Sequence, residues 1–300
     1  MPGDVYAITR RCVQRQFLLR PSVLVNKILL YCLAKAAESF HVQVHAYCVM
    51  SSHMHLVLSD PDVELPEFMH LLDLSIAKSM NAELRRREAF WVEGSYDSLT
   101  LADEEAVLSS IVYTLMNPVA AGLVRRGDQW PGLRSHPRDL AGRHVVAKRA
   151  GRYFAGASRA PELAEFDITR PPIYPELSDA RLAQLVRQRV EDAESECRKK
   201  MAAEKRSFLG RPRVLSLAPT TVAATPEPLG KLNPRVAAGK RSVRIAAIKN
   251  LQAFLQEYRE ARDRYLDCLA RDLERAREVV FPAGTYLMRV RYSVECHAPP

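Results

Sequence analysis

The sequence has no uninterrupted apolar run of about 18 residues, the length that a helix needs to span a bilayer. Its N-terminus lacks the apolar segment that is typical of a secretory signal. The six cysteines are scattered, and no two of them have the Cys-x-x-Cys spacing of a zinc or redox site. These absences predict a cytoplasmic protein with reduced thiols and no membrane association.

The charge is positive and unevenly distributed. The 300 residues carry a net charge of +9, with an isoelectric point near 9.3. Residues 1–150 contain 17 Lys and Arg against 16 Asp and Glu, whereas residues 151–300 contain 27 against 19. A basic protein favours a polyanionic partner such as nucleic acid, although a solvated helical face would explain the same counts.

Two histidines are separated by one apolar residue in the apolar stretch 47–58. Because side chains alternate between the faces of a strand, His53 and His55 are expected on one face and Met54 on the other. Two imidazoles on one face of a rigid strand form half of a divalent-metal site. An ordinary surface pair is the alternative for an isolated His-x-His.

A tyrosine and an asparagine lie four residues apart further along the chain. The spacing of apolar residues predicts a helix over 102–116, with Tyr113 away from the centre of its apolar stripe. Asn117 would adjoin Tyr113 on the same helix surface. Pro118 leaves a second interpretation open, in which Asn117 simply ends the helix.

The first half of the sequence predicts the order β-α-β-β-α-β-α. Strands are expected over 5–11, 42–50, 53–59 and 90–99, and helices over about 21–40, 65–88 and 102–116. This order predicts an α+β fold: a ferredoxin-like, split βαβ antiparallel sheet with helices on one face and an added helix. The two histidines would lie on a central strand.

The second half of the sequence predicts a mostly helical extension. We divide the chain into a domain over 1–135, an irregular and helical region over 136–215, a linker over 216–234, and a long helix with a terminal strand over 235–300. The long helix is expected over 241–280 and the terminal strand over 285–294. The long helix suggests a homodimer, but packing on its own domain explains it as well.

The two constellations together resemble the HUH single-tyrosine transposases of insertion sequences and their REP-associated relatives. The segments that carry the resemblance are 45–59, 90–98 and, most specifically, YTLMNPVAAGLV at 113–124. They follow the family's order and spacing over roughly residues 4–135. The sequence departs from the family at Ser51-Ser52, where Pro-Asn is frequent, at Ala120, where Arg is common, and at Val92, where Gln is common.

The resemblance implies a DNA-nicking and rejoining enzyme. Tyr113 would attack the scissile phosphate and form a 5′-phosphotyrosine intermediate, and His53, His55 and Asn117 would hold Mg²⁺ or Mn²⁺. The implied substrate is single-stranded or hairpin DNA. Candidate phosphate contacts, each of which could equally be a solvated side chain, are Arg10, Arg11, Arg15, Arg20 and Lys78.

Two other functions fit parts of the sequence. A DNA-binding regulatory protein could retain the transposase fold without cleaving DNA, but such a protein would not need all four residues of the constellation. An RNA-binding ferredoxin-like domain is disfavoured, because the predicted strands lack the aromatic residues on which such domains stack bases.

Overall fold

The computed structural model describes residues 3–94, 96–154, 160–224 and 234–285. No helix in these ranges is both long and apolar enough to cross a membrane. The seven strands described are β1 Val5–Arg11, β2 Gln43–Val49, β3 His53–Ser59, β4 Asp97–Leu101, β5 Arg143–Lys148, β6 Leu163–Ile168 and β7 Val236–Ala237. The α-helices described are α1 Val23–Phe40, α2 Leu65–Leu84, α3 Glu104–Ala120, α4 Asp179–Ala203, α5 Arg211–Ser216, α6 Arg241–Arg271 and α7 Leu273–Glu278.

The predicted ferredoxin-like α+β architecture is confirmed in the centre of the sheet. The full strand order is β5-β6-β2-β3-β1-β4-β7. Its four central strands, β2-β3-β1-β4, are antiparallel and come from the first β-α-β-β-α-β segment. β6 and β7 join the two edges of this unit in parallel pairings. The central strand β3, which carries both histidines, has the predicted boundaries.

The alternation of side chains along β3 divides the protein into two layers. Met54, Leu56 and Leu58 face the core that α1 and α2 cover. Val57 faces a second core, which α3 and α4 cover. Among the described residues, two helices thus cover each of these cores, whereas the sequence predicted only α3 opposite α1 and α2. His53 and His55 share the face of Val57 and therefore lie under α3.

Residues 136–215 are more regular than predicted. β5 and β6 form an antiparallel hairpin within this region, and β6 pairs with β2 through Val44 and Ile168. Alternation is clear along β6, where Ala164, Phe166 and Ile168 are buried and the residues between them are exposed. We overlooked this short pattern among charged residues. The proposed division of the chain into domains stays a prediction.

The catalytic-helix candidate α3 continues past its predicted end at Met116, so the interpretation in which Asn117 ends the helix is wrong. Pro118 lies inside the last turn and cannot donate a backbone hydrogen bond. Tertiary contacts add to the backbone hydrogen bonds that remain in this turn, such as the one from Ala121 to the Asn117 carbonyl oxygen. Arg134 Nε donates to the Leu115 carbonyl oxygen over 2.7 Å, and Pro118 and Val119 are buried.

Other predicted boundaries also need correction. β4 begins at Asp97 instead of residue 90. Trp91 pairs with Cys12 only through an isolated bridge, and its Nε1 atom donates to the Asp73 carbonyl oxygen. The long helix ends at Arg271, where Asp272 accepts hydrogen bonds from the first turn of α7. All but the first residue of the strand predicted over 285–294, and much of the predicted linker, lie outside the described residues.

We expect the buried His45 to make stability fall in mild acid. Its Nδ1 lies 2.8 Å from the Thr169 carbonyl oxygen, and burial lowers the pKa of His45 from 6.5 to about 4. The unfolded chain therefore binds the extra proton between these pH values. The free energy of unfolding should decrease as pH falls from 6.5 to 4, by at most about 1.4 kcal/mol per pH unit from this residue.

Urea unfolding at several pH values measures this effect. His45→Asn removes the titrating ring but keeps an N–H group for Thr169. The variant should show a shallower loss of stability than the wild type between pH 6.5 and 4. Identical pH dependence in the two proteins would contradict the assignment.

Candidate metal and tyrosine site

The two histidine rings lie side by side on the α3 face of the sheet. The ring centroids of His53 and His55 are 4.8 Å apart, and the rings are nearly perpendicular. Because β3 is hydrogen-bonded to β1 and β2 on its two sides, its backbone is held on both edges. The pair therefore has a rigid platform, as predicted.

Each imidazole has a hydroxyl group at its Nδ1 atom. Thr9 Oγ1 lies 2.9 Å from His55 Nδ1, and Ser52 Oγ lies 3.1 Å from His53 Nδ1. Thr9 is directly opposite His55 in the β1–β3 register. These hydrogen bonds fix the ring orientations and leave both Nε2 atoms for another partner.

The Nε2 atom of His55 is the strongest indication that this site can bind a cation. It is buried and has no hydrogen-bond partner among the described residues. If Nδ1 carries the proton and donates to Thr9, Nε2 presents a lone pair. A buried lone pair without a partner is unfavourable, whereas coordination of a cation would satisfy it. The residues present therefore fit a divalent cation.

Both rings are neutral at pH 7. Burial, with the nearby charges of Arg11 and Arg15, lowers the pKa of His53 to about 4. Burial, with His53 and Arg11, lowers the pKa of His55 to about 3. Metal coordination requires the neutral imidazole, so neither ring has to lose a proton before it binds a cation.

Tyr113 of the same chain lies against this pair. Its ring centroid is 5.5 Å from that of His55, at an interplanar angle of 80°. The side chain is nevertheless 55% exposed, so a ligand can reach it. This exposure is consistent with the predicted position of Tyr113 outside the apolar stripe of α3. Two segments about sixty residues apart in sequence therefore meet in one pocket.

Asn117 lies one turn beyond Tyr113 and is 6% exposed. Its backbone carbonyl oxygen accepts from Ala121, so the residue is part of the helix. The i, i+4 spacing places its side chain on the same helix surface as Tyr113. A contribution of its amide oxygen to a cation site stays a prediction.

Two predicted phosphate contacts have structural partners. Arg10 is 9% exposed and forms a 2.8 Å ion pair with Asp73, and its guanidinium group also stacks over Trp91. Arg20 donates to the carbonyl oxygens of Leu215 and Leu217. We do not propose either as a DNA contact.

The other three predicted contacts are distributed around the fold. Arg11 and Arg15 are close enough to affect the pKa of His53, and Arg11 lies 3.9 Å from Asp97. Lys78 is exposed on α2, in the helix layer on the opposite face of the sheet from Tyr113. Among the predicted contacts, Arg11 and Arg15 are therefore the ones next to the pocket.

A separate group of possible cation ligands, His41, Asp62 and Glu64, lies on the surface. Gln43 pairs with Ser59, so this group is at the end of β3 that is farther from His53. Six residues of strand correspond to about 20 Å. Exposed carboxylates of this kind are common without a bound ion, and we assign this group no function.

The sequence interpretation missed two supporting residues, Thr9 and Arg134. Thr9 was detectable in principle, since pairing the predicted strands would have placed a hydroxyl group opposite His55. The sequence around Arg134 does not predict its contact with the Leu115 carbonyl oxygen, because that contact depends on the path of the chain after α3.

Comparisons with known proteins found one family model and one solved structure that are similar to this chain. The sequence model of the family described as "Transposase IS200 like" matches residues 5–110, a segment that includes both histidines and ends before Tyr113. A solved structure of a REP-associated tyrosine transposase bound to a REP hairpin is similar at 18% identity and a TM-score of 0.40, over 47% of this chain and 81% of that one. The comparison with curated proteins found no match.

We expect Thr9→Val to weaken Mn²⁺ binding by about tenfold, since an isosteric residue without a hydroxyl group leaves His55 Nδ1 unsatisfied. Titration calorimetry would measure the affinity. Nitrogen-15 NMR of the metal-free imidazoles would show whether Nδ1 still carries the proton. Thr9→Ser should restore both properties, and wild-type affinity in the valine variant would contradict the role of Thr9.

Proposed function

Because residues 5–110 of this chain match the sequence model of the IS200-like transposase family, we propose that the protein cleaves and rejoins single-stranded DNA through Tyr113. The observation that carries the proposal is the contact of the Tyr113 ring with His55, whose buried Nε2 atom has no partner among the described residues. A nucleophile and a site for a charge-stabilising cation thus share one pocket. Cleavage needs both.

The proposed reaction is an in-line displacement at phosphorus. The Tyr113 oxygen forms a bond to phosphorus as the bond to the 3′ oxygen breaks. The phenol loses its proton, and the departing 3′ oxygen gains one. The products are a 5′-phosphotyrosine and a free 3′-hydroxyl group, which can reverse the step or be replaced by another strand end. The phosphodiester bond energy is retained, so no nucleotide cofactor is consumed.

His53 and His55 would hold the cation through their Nε2 atoms, and Asn117 would add its amide oxygen. The neutral imidazoles and the orphaned Nε2 atom support this set. When bound, Mg²⁺ or Mn²⁺ would stabilise the charge that develops on the phosphate oxygens. Imidazole also suits zinc, so the choice of Mg²⁺ or Mn²⁺ follows from the family resemblance.

One chain supplies every group that the proposed reaction uses. Tyr113 lies against a histidine of its own chain, so the chemistry does not require a second copy. A homodimer and a cytoplasmic location stay predictions. DNA is the proposed partner, as expected for a transposase.

We expect Tyr113→Phe to abolish covalent attachment to DNA. The wild type, incubated with a 5′-labelled or 3′-labelled single-stranded hairpin oligonucleotide and Mn²⁺, should give an SDS-resistant adduct carrying the 3′ label only. His55→Ala and EDTA should each reduce adduct formation at least about 100-fold, as expected when charge stabilisation is lost. Gel electrophoresis measures the yield.

Tyr153→Phe is the matched control, because Tyr153 is also exposed but lies against Phe154, which is buried in the core on the opposite face of the sheet. This variant should retain the wild-type yield. An adduct that persists in Tyr113→Phe would overturn the assignment of the nucleophile. Tight DNA binding by the wild type without any adduct would favour the non-cleaving regulatory protein.

A further inference from the structure

A basic segment borders the pocket and lies outside the part of the chain that matches the family. We call residues 205–222, which follow α4 and include α5, the basic strap. At its start, the amides of Leu209 and Gly210 donate to the carbonyl oxygens of Gly122 and Leu123, just after α3. Near its end, Thr221 accepts from the Phe17 amide, between β1 and α1. The strap therefore connects the end of the tyrosine helix to the end of β1.

The middle of the strap is anchored beside the turn that precedes the histidines. Val214 is buried in a cluster that includes Met50, at the end of β2, and Val119, in the last turn of α3. Arg20 holds the strap from its other side by donating to Leu215 and Leu217. These contacts give the strap a fixed position at the β2–β3 turn, where His53 begins β3.

The outer surface of the strap carries three cations that have no ion pair with a described residue. Its eighteen residues include four basic side chains and no acidic one. Arg206 pairs with Glu204 of the preceding turn. Lys205, Arg211 and Arg213 are exposed, and no described carboxylate lies within ion-pairing distance of them. Arg125, which stacks over Phe208 of the strap, extends the same positive surface.

Other cations of the extension are arranged differently. On α6, for example, Arg262 pairs with Asp263 and Arg271 with Asp267. Pairs of this kind are typical of a solvated helical face. The strap instead combines unpaired cations with an anchored backbone next to the proposed active site. Such a surface is suited to an extended polyanion, because its cations do not have to break ion pairs within the protein before they contact phosphates.

We propose that the basic strap binds the phosphate backbone of the DNA strand that enters the Tyr113 pocket, with Arg211 and Arg213 as its main contacts. This inference rests on the proposed function and adds a binding surface that the sequence interpretation did not identify. The contacts are to phosphates, so they position the strand without reading its sequence. They would explain part of the excess positive charge in residues 151–300.

The test is the salt dependence of DNA binding, measured by fluorescence anisotropy with a labelled single-stranded hairpin oligonucleotide. All proteins carry Tyr113→Phe, so that cleavage does not interfere. Removing two phosphate contacts with Arg211→Gln and Arg213→Gln should make the negative slope of log K, the association constant, against log salt concentration shallower by about 1.4. Affinity near physiological salt should fall roughly tenfold.

Arg241→Gln with Arg244→Gln is the control, since these exposed arginines of α6 also have no ion pair with a described residue. It removes the same charge and should leave the slope nearly unchanged. Equal losses in the two double variants would show a general charge effect and overturn the proposal. An unchanged slope in the strap variant would also overturn it.

The adduct assay separates this proposal from the proposed function. With Tyr113 intact, the strap variant should still form the adduct at saturating protein concentration, because its pocket is unaltered. If the wild type forms no adduct but the salt-dependence slope decreases in the strap variant as predicted, the cleavage proposal fails and DNA binding by the strap stands. If the wild type forms the adduct and the slope does not change, only the strap proposal fails.

Discussion

The register between β1 and β3 is the constraint on which the candidate site depends. It places Thr9 directly opposite His55, so that a hydroxyl group meets Nδ1 and Nε2 points away from it. A shift of one residue would move both histidines to the α1–α2 face. The apolar residues Met54, Leu56 and Leu58 prevent this, because the same shift would remove them from the larger core. Core packing therefore fixes the chemistry on the other face.

The second requirement is that α3 stays in place above the histidines despite a proline in its last turn. The sheet supports one side of α3, and α4 packs on another. Arg134 donates to the Leu115 carbonyl oxygen, next to the Thr114 carbonyl to which Pro118 cannot donate. The extension that lies outside the family match thus supplies part of the scaffold for the tyrosine.

Much of the first half of the fold was predictable because its signals are local. Periodicity gave the order of strands and helices, and the alternation around Met54 gave the common face of the two histidines. The errors arose where a local pattern competed with tertiary contacts. Pro118 suggested a helix end, but burial and Arg134 sustain the turn. For Arg10, which stays a predicted DNA contact, the structure adds that its guanidinium group pairs with Asp73 and stacks over Trp91.

The sequence by itself determined which chemical groups are available: two imidazoles at the spacing of one strand face, and a phenol and an amide at the spacing of one helix turn. Strand and helix periodicities depend only on backbone geometry, so these relations can be read without coordinates. Only the tertiary structure decided that the phenol lies against the imidazoles, which ring atom is left for a cation, and which arginines already have partners within the fold. Those properties arise from contacts between residues far apart in the chain, where local spacing carries no information.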